Sequence, residues 1–136
     1  PSTDVILIDD DENTVAIGER GEICVKGPQV MIGYQNSPEE TAESFTASGY
    51  LKTGDIGIID EKGFIKIVDR KKDMILVSGF NVYPNEIEEA MSEHPEIVEC
   101  GAIGIPNDDR GEDPKLYVVK KGNVTEQELL DFGKNN

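Results

Sequence analysis

The sequence of 136 residues predicts a mixed fold in two parts, in which a mostly β first half is followed by an α+β second half. Short apolar runs separated by glycines fill the first half, and segments with helical periodicity become prominent only later. Between them, the charged run at residues 69–73 separates two strand-like segments, as a linker between domains would. We therefore expect a first domain at residues 1–68, a hinge linker at 69–73 and a second domain at 74–136.

Strands and one short helix are predicted for the first half. Apolar runs bounded by polar or glycine-containing turns predict strands at residues 5–8, 15–17, 22–26, 56–60 and 64–68. The last two flank a turn that contains Gly63, so they are expected to form a β-hairpin. Ser37, Pro38 and Glu40 have the signature of a capping box, which predicts a helix that extends to about Phe45.

The second half is predicted to combine a sheet with two helices. Strands are predicted at residues 74–77, 97–105 and 116–121. Residues 78–81 are expected to form a turn after the first of them. Residues 84–93 place apolar side chains at helical spacing, and a His-Pro pair ends that helix. Thr125 and Glu128 form a second capping-box signature, which predicts another helix.

Composition and charge restrict the partners of this chain. Its net charge is −15, spread over both halves, so long-range repulsion argues against nucleic acid or an anionic lipid surface as a partner. The basic run at residues 70–72 is the best candidate for meeting an anionic ligand. No apolar run is long enough for a membrane span, and a chain that begins at Pro1 without a leader is expected to be an excised piece. Cys24 and Cys100 have neither disulfide nor zinc spacing, which indicates free thiols in a reducing cytosol.

Two segments hold the candidate binding residues. Asp55 follows a glycine, so its carboxylate could accept two hydrogen bonds from a vicinal diol, or it could simply cap a turn. Arg70 could bind an anion or be solvated. Gly79 could serve a tight turn with positive φ or leave room for a ligand. No phosphate loop, Ser/His/Asp set or metal-ligand spacing is recognisable, and the residues alone leave these alternatives open.

Taken in order, these segments resemble the motifs of the adenylate-forming superfamily, which comprises acyl-CoA synthetases, luciferases and the adenylation domains of peptide synthetases. The matching segments are G-Y-L-K-T-G-D at 49–55, V-D-R-K-K-D-M-I at 68–75, S-G-F-N-V-Y-P-N-E-I-E at 78–88, and the short matches Gly21-Glu22-Ile23, Gly27-Pro28, Gly33-Tyr34, Pro106-Asn107-Asp108 and Gly111-Glu112. The wording of residues 77–88 is most similar to bacterial long-chain fatty acid–CoA ligases. An aryl-CoA ligase or a peptide-synthetase-type adenylation domain is the alternative within the superfamily. A non-catalytic nucleotide- or carrier-binding module is the alternative outside it.

The resemblance implies a two-step reaction that uses ATP, Mg²⁺ and coenzyme A. A fatty acid carboxylate is first joined to AMP, and the acyl group is then transferred to CoA. Asp55 is implied to hold the ribose hydroxyls of the nucleotide, and Arg70 to contact the ribose or nearby phosphate oxygens. Tyr50, Thr53 and Gly54 belong to the same nucleotide-binding motif.

The resemblance also assigns residues to the second step. Lys72 matches the hinge about which the small domain rotates between the two steps. Gly79 belongs to the turn that lines the tunnel for the pantetheine arm of CoA, with Ser78 and Phe80 on either side. Asn81 stands where some branches carry a phosphate-binding arginine, so that role is not transferred.

For the fold, the resemblance implies that residues 1–68 are the distorted β-barrel subdomain that ends the large AMP-binding domain. Residues 74–136 would begin the small α+β lid, a sheet with two helices. The phosphate loop and acyl pocket are expected before Pro1, and the lysine that closes on the adenylate beyond Asn136. The chain is therefore expected to hold half an active site without a catalytic residue or metal ligand, and to be inactive alone. The whole enzyme is expected in the cytoplasm, or peripherally at the inner face of the membrane through its other parts.

Overall fold

The computed structural model describes residues 2–135, and the chain divides between Lys71 and Lys72 into two compact units. Each unit contains one four-stranded antiparallel sheet. The described residues also form three α-helices, so the mixed fold class is confirmed. The division lies inside the segment at 69–73 that the sequence predicts as a linker.

The first unit is a β-meander with one helix. Its elements are β1 (Asp4–Ile8), β2 (Arg20–Lys26), α1 (Pro38–Ser44), β3 (Leu51–Ile59) and β4 (Ile65–Arg70). The strands pair in the order β1-β2-β3-β4, so β1 and β4 are edges of the sheet among the described residues. The barrel expected for this part is therefore an open sheet here, because closure would require these edges to pair. Its buried apolar side chains are mostly aliphatic and include Leu7, Ile8, Ile23, Cys24 and Ile56.

The second unit combines a sheet with two helices, as the sequence predicts. Its elements are β5 (Ile75–Val77), β6 (Phe80–Val82), α2 (Pro84–Ser92), β7 (Ile97–Asn107), β8 (Gly111–Lys120) and α3 (Glu126–Gly133). The strands pair in the order β6-β5-β8-β7, with α2 packed against β7 and α3 packed against α2. Its core contains Ile75, Tyr83, Met91, Ile97, Ala102 and Val124. No helix within residues 2–135 has the length and apolar character needed to cross a bilayer.

Two predicted elements differ from the structure. Residues 15–17 do not form a strand. The only β pairing next to them among the described residues is an isolated bridge between Thr14 and Ile8. Ile17 is 66% exposed, so this apolar run is not buried as the predicted strand would be. Conversely, Phe80 belongs to the short strand β6, although a turn is predicted for residues 78–81. The reversal takes only two residues with positive φ, which lets the chain pair immediately afterwards.

Candidate functional site

The segment that ends in Asp55 forms a β-bulge and not a turn. Glu22 pairs with Ile56 and Cys24 pairs with Lys52, so the single residue between them on β2 faces the three residues 53–55 on β3. Such extra residues bend a strand and redirect its side chains, and they are common next to binding sites. The alternative that Asp55 merely caps a turn is therefore wrong, because it lies inside β3.

Three hydrogen bonds hold this bulge. The Thr53 hydroxyl donates to the carbonyl oxygen of Ile23 at 2.8 Å and accepts from the amide of Asp55 at 3.1 Å. The amide of Gly54 donates to Glu22 Oε1 at 3.1 Å. Gly54 has φ +75°, a conformation that side chains disfavour, which accounts for glycine immediately before the carboxylate.

Asp55 forms an ion pair with Arg70 across the sheet. The two residues are register partners on β3 and β4, and Arg70 Nε lies 2.9 Å from Asp55 Oδ1. A second register shift follows on β4, where Ile56 pairs with Asp69 but Gly57 pairs with Ile67. One register shift between β2 and β3 and another between β3 and β4 therefore lie next to the pair. Bulges bend a strand and re-aim its side chains, so these irregularities set the direction in which the pair projects.

The exposed part of this pair offers complementary hydrogen-bonding groups. The side chain of Asp55 is 25% exposed and that of Arg70 is 60% exposed. A carboxylate offers only acceptors, and a guanidinium offers a rigid fork of donors. Side by side, they suit a ligand that presents hydroxyl donors next to an anionic acceptor. A ribose attached to a phosphate has this chemistry.

The other residues of the motif differ in how they relate to this pair. Thr53 and Gly54 form the bulge that carries Asp55. Tyr50 precedes β3, and Lys26 Nζ lies 5.2 Å from the centre of its ring. Its backbone exchanges hydrogen bonds with Thr46, at 2.8 Å from the Thr46 amide and 3.0 Å to the Thr46 hydroxyl. Tyr50 is therefore held beside the start of β3 by its contacts with Lys26 and Thr46.

The chain neighbours of this pair bind a buried carboxylate, Glu22, which was not predicted as a site residue from the sequence. Glu22 is 5% exposed, and its Oε2 lies 3.0 Å from Lys71 Nζ. Lys71 Nζ also lies 3.0 Å from Asp10 Oδ1. Partial burial would lower the pKa of Lys71, but its bonds to the two carboxylates outweigh that effect and raise the pKa above its ordinary value. The available signal was an acidic residue directly before the apolar run at residues 23–25 of β2.

The candidate residues of the second unit form a two-residue hairpin loop. Val77 pairs with Phe80, and the loop residues Ser78 and Gly79 have φ +50° and +84°. Positive φ at both positions is the requirement of a type I′ turn. The amide of Ser78 donates to the carbonyl oxygen of Arg110 at 2.7 Å, and the Phe80 side chain at the far side of the loop is 75% exposed. The loop is thus fixed at its base and open at its tip.

The remaining predicted site residue is Lys72. Lys72 is exposed within the single 3₁₀ turn Lys71–Asp73, at the start of the second unit. Among residues 2–135, no group of three or more His, Cys, Asp or Glu side chains is arranged to hold a metal ion.

The chain is similar to known proteins in sequence and in structure. Residues 86–135 match the family described as AMP-binding enzyme C-terminal domain. Over nearly its whole length the chain is similar to adenylate-forming, AMP-binding enzymes. Among its relatives, a long-chain-fatty-acid–CoA ligase of Escherichia coli is 56% identical over 133 residues, which are 97% of this chain and 24% of the relative. The corresponding Bacillus subtilis ligase is 50% identical over 133 residues, which are 96% of this chain and 24% of that ligase.

The solved structures include an ATP-bound member of the family. ATP-bound MatB from Rhodopseudomonas palustris superimposes with a TM-score of 0.92 at 37% identity, over 99% of this chain and 27% of that protein. The chain thus spans about a quarter of the length of the curated relatives that it matches.

Proposed function

We propose that this chain is the C-terminal part of an ATP-dependent long-chain fatty acid–CoA ligase. The complete ligase, meaning the longer protein that contains this chain, would join a fatty acid to AMP and then transfer the acyl group to CoA. The ion pair between Asp55 and Arg70 carries the proposal, because it is partly exposed and held by bulges at the end of the nucleotide-binding motif. The high identity to long-chain-fatty-acid–CoA ligases supports this substrate class.

The first step would use the pair to hold the nucleotide. Asp55 would accept hydrogen bonds from the two ribose hydroxyls, and its negative charge makes such bonds strong. Arg70 keeps the carboxylate in place through its Nε and would direct its remaining donors to the ribose or a neighbouring phosphate oxygen. Thr53 and Gly54 would act through the backbone of the bulge, and Tyr50 through packing beside it.

The second step would use the hairpin loop of the second unit. A loop with no side chain at Gly79 leaves space for a narrow ligand, and a Cβ added there would meet nothing within 4 Å. The pantetheine arm of CoA would pass this position, with Ser78 and Phe80 beside it. Lys72 would be the hinge that lets the second unit change its orientation between the steps.

The rest of the complete ligase would supply the other components. The phosphate loop, the acyl pocket, the adenylate-contacting lysine and the binding of Mg²⁺ with ATP would all lie outside this chain. The chain alone is therefore expected to catalyse neither step. We place the enzyme in the cytoplasm, with any membrane association made through its other parts.

Replacement of Asp55 tests the proposal. In the complete ligase, Asp55→Ala is expected to lower fatty-acid-dependent pyrophosphate exchange by about one to two orders of magnitude, because the ribose loses a charged acceptor. Asp60→Ala is the matched control, since Asp60 is a true turn cap whose Oδ1 accepts from the amides of Lys62 at 2.9 Å and Phe64 at 2.8 Å. The control should lose stability and keep its exchange rate.

Three outcomes would contradict the proposal. An unchanged exchange rate in a folded Asp55→Ala variant would leave the carboxylate without a role in nucleotide binding. Exchange that requires aryl or amino acids and ignores fatty acids would indicate an aryl-CoA ligase or an adenylation domain. Tight binding of ATP or CoA by the 136-residue chain alone would instead indicate a binding module.

A further inference from the structure

We propose that Glu22 is a positioning residue that holds both halves of the nucleotide site through a single carboxylate. This inference rests on the proposed function of Asp55 and Arg70. Glu22 lies on β2 and is a register partner of neither residue. Its two oxygens instead bind the chain neighbours of both, Gly54 and Lys71.

The geometry divides the carboxylate between the bulge in β3 and the residue that follows β4. Oε1 accepts from the amide of Gly54 at 3.1 Å, one residue before Asp55. Oε2 accepts from Lys71 Nζ at 3.0 Å, one residue after Arg70. The side chain of Glu22 is only 7% exposed, so water cannot readily replace either partner. Movement of the Gly54 bulge or of the end of β4 would therefore disturb the same buried group.

The two contacts of the Glu22 carboxylate are costly to break. A buried carboxylate requires a counter-charge and hydrogen bonds, and removal of one partner leaves the other uncompensated. Gly54 has positive φ and no side chain, so its amide bond to Glu22 restrains a backbone that is otherwise permissive. Lys71, the residue after Arg70, also forms an ion pair with Asp10, so two carboxylates hold its ammonium group.

Glu12 offers a matched comparison within the same sheet unit. Its carboxylate also combines a backbone amide with a lysine, Ala47 at 3.2 Å and Lys52 at 3.1 Å. Neither of these partners adjoins Asp55 or Arg70 in the chain. Glu12 therefore has the same kind of contacts as Glu22 without binding a chain neighbour of Asp55 or Arg70, and its side chain is more exposed, at 38%.

The experiment measures ATP dependence of pyrophosphate exchange in the complete ligase. Glu22→Ala is expected to raise the KM for ATP about tenfold with a smaller change in kcat, because a misplaced Asp55–Arg70 pair weakens nucleotide binding. Glu22→Gln retains an acceptor for Gly54 and should raise the KM less, about threefold. Glu12→Ala should leave the KM unchanged. A parental KM in folded Glu22→Ala, or an equal rise in Glu12→Ala, would overturn the proposal.

A double variant covers the case in which Glu22→Ala does not fold. Glu22→Gln combined with Lys71→Met removes the buried charge of Glu22 together with its partly exposed lysine partner and keeps the acceptor for Gly54, so the fold should survive. Its KM for ATP should rise about threefold or more, since the anchor beside Arg70 is lost. A parental KM in this folded variant would overturn the proposal.

Two further measurements separate this inference from the proposed function. Hydrogen exchange at the Gly54 amide should accelerate in Glu22→Ala and stay unchanged in Glu12→Ala, and this readout needs no activity. If Asp55→Ala raises the KM while the Glu22 variants do not, the positioning role fails and the proposed function stands. If Asp55→Ala changes nothing although Gly54 exchange responds to Glu22, the proposed function fails and the structural link stands.

Discussion

Two glycines have nearly the same backbone conformation but different proposed roles. Gly63 at the β3–β4 turn has φ +82°, and Gly79 at the β5–β6 turn has φ +84°. A Cβ added at either position would meet nothing within 4 Å. The cost of replacing them therefore comes from backbone conformation and not from a clash within the unit. A comparison of the two isolates what a side chain at Gly79 would do to a ligand.

Gly79→Leu is expected to block thioester formation and spare the first step. In the complete ligase, CoA-dependent release of acyl-CoA should fall by at least about tenfold, because a leucine side chain would occupy the pantetheine path. Pyrophosphate exchange should stay near the parental rate. Gly63→Leu, which has the same backbone strain, should lower stability to a similar extent and leave both steps intact. Equal loss of both steps in Gly79→Leu would make that glycine purely structural.

Single residues show how far sequence reasoning reaches into this site. The motif order identified Asp55 and Arg70, and the structure pairs them at 2.9 Å. Their placement inside strands was not predicted, because a bulge depends on the register between two strands and leaves no local pattern. Glu22 was missed for a related reason. Its partners are 32 and 49 residues away in the chain, so no spacing rule connects them.

At the level of elements, two similar helix starts have different structures. Both Ser37 and Thr125 are followed three residues later by glutamate, which predicts two capping boxes. Only Thr125 forms one, with its side chain accepting from the Glu128 amide at 3.3 Å. Ser37 has ψ 70°, whereas Thr125 has ψ 160°, and side-chain capping requires the extended conformation. The sequence identified both helices correctly but could not supply this dihedral angle.

Thr125→Ala is therefore expected to destabilise the second unit, and Ser37→Ala to have little effect on the first. Loss of a threonine cap costs about 1 kcal/mol in the free energy of unfolding, measured by urea denaturation followed by circular dichroism. Hydrogen bonds from the Thr125 backbone and hydroxyl lower the pKa of Glu128. A pKa that is lower in the folded state stabilises above the unfolded pKa and loses its effect as the pH falls through the folded pKa.

The pH dependence supplies a check on this assignment. The stability difference between parent and Thr125→Ala should be largest near neutral pH and should shrink in acid as Glu128 becomes protonated. Ser37→Ala should show no such dependence, because the Ser37 side chain makes no capping bond. A pH-independent difference for Thr125→Ala would show that the hydroxyl acts without the glutamate.

At the scale of the whole chain, the boundary between the units follows an anchored residue. Lys71 belongs to the first unit and is held by Glu22 and Asp10 at 3.0 Å each. The segment 69–73, predicted as a linker, contains the last two residues of β4, which ends at Arg70. A run of charges gives no periodicity, so the sequence could not distinguish strand residues of the site from the residues that follow. Lys72, the residue proposed as the hinge, is the first residue of the second unit.

Lys72→Pro tests whether this point is a hinge. Proline fixes φ near −65° and disfavours the helical conformation of the preceding residue, here Lys71, which the two carboxylates already restrain. A hinge is a short segment that absorbs backbone change, so the variant should hold one orientation of the units. In the complete ligase we expect pyrophosphate exchange near the parental rate. Thioester formation, which needs the second orientation, should fall by at least about tenfold.

The matched control for this variant is Glu61→Pro, which introduces proline in an exposed turn of the first unit. Glu61 follows Asp60 in a turn closed by a hydrogen bond from the Gly63 amide to the Asp60 carbonyl oxygen at 2.9 Å, and proline is favoured at this second position. Both steps should proceed normally in Glu61→Pro. Circular dichroism of each variant distinguishes a trapped hinge from an unfolded unit. A folded Lys72→Pro variant with both steps at the parental rates would show that the units change orientation about some other residue.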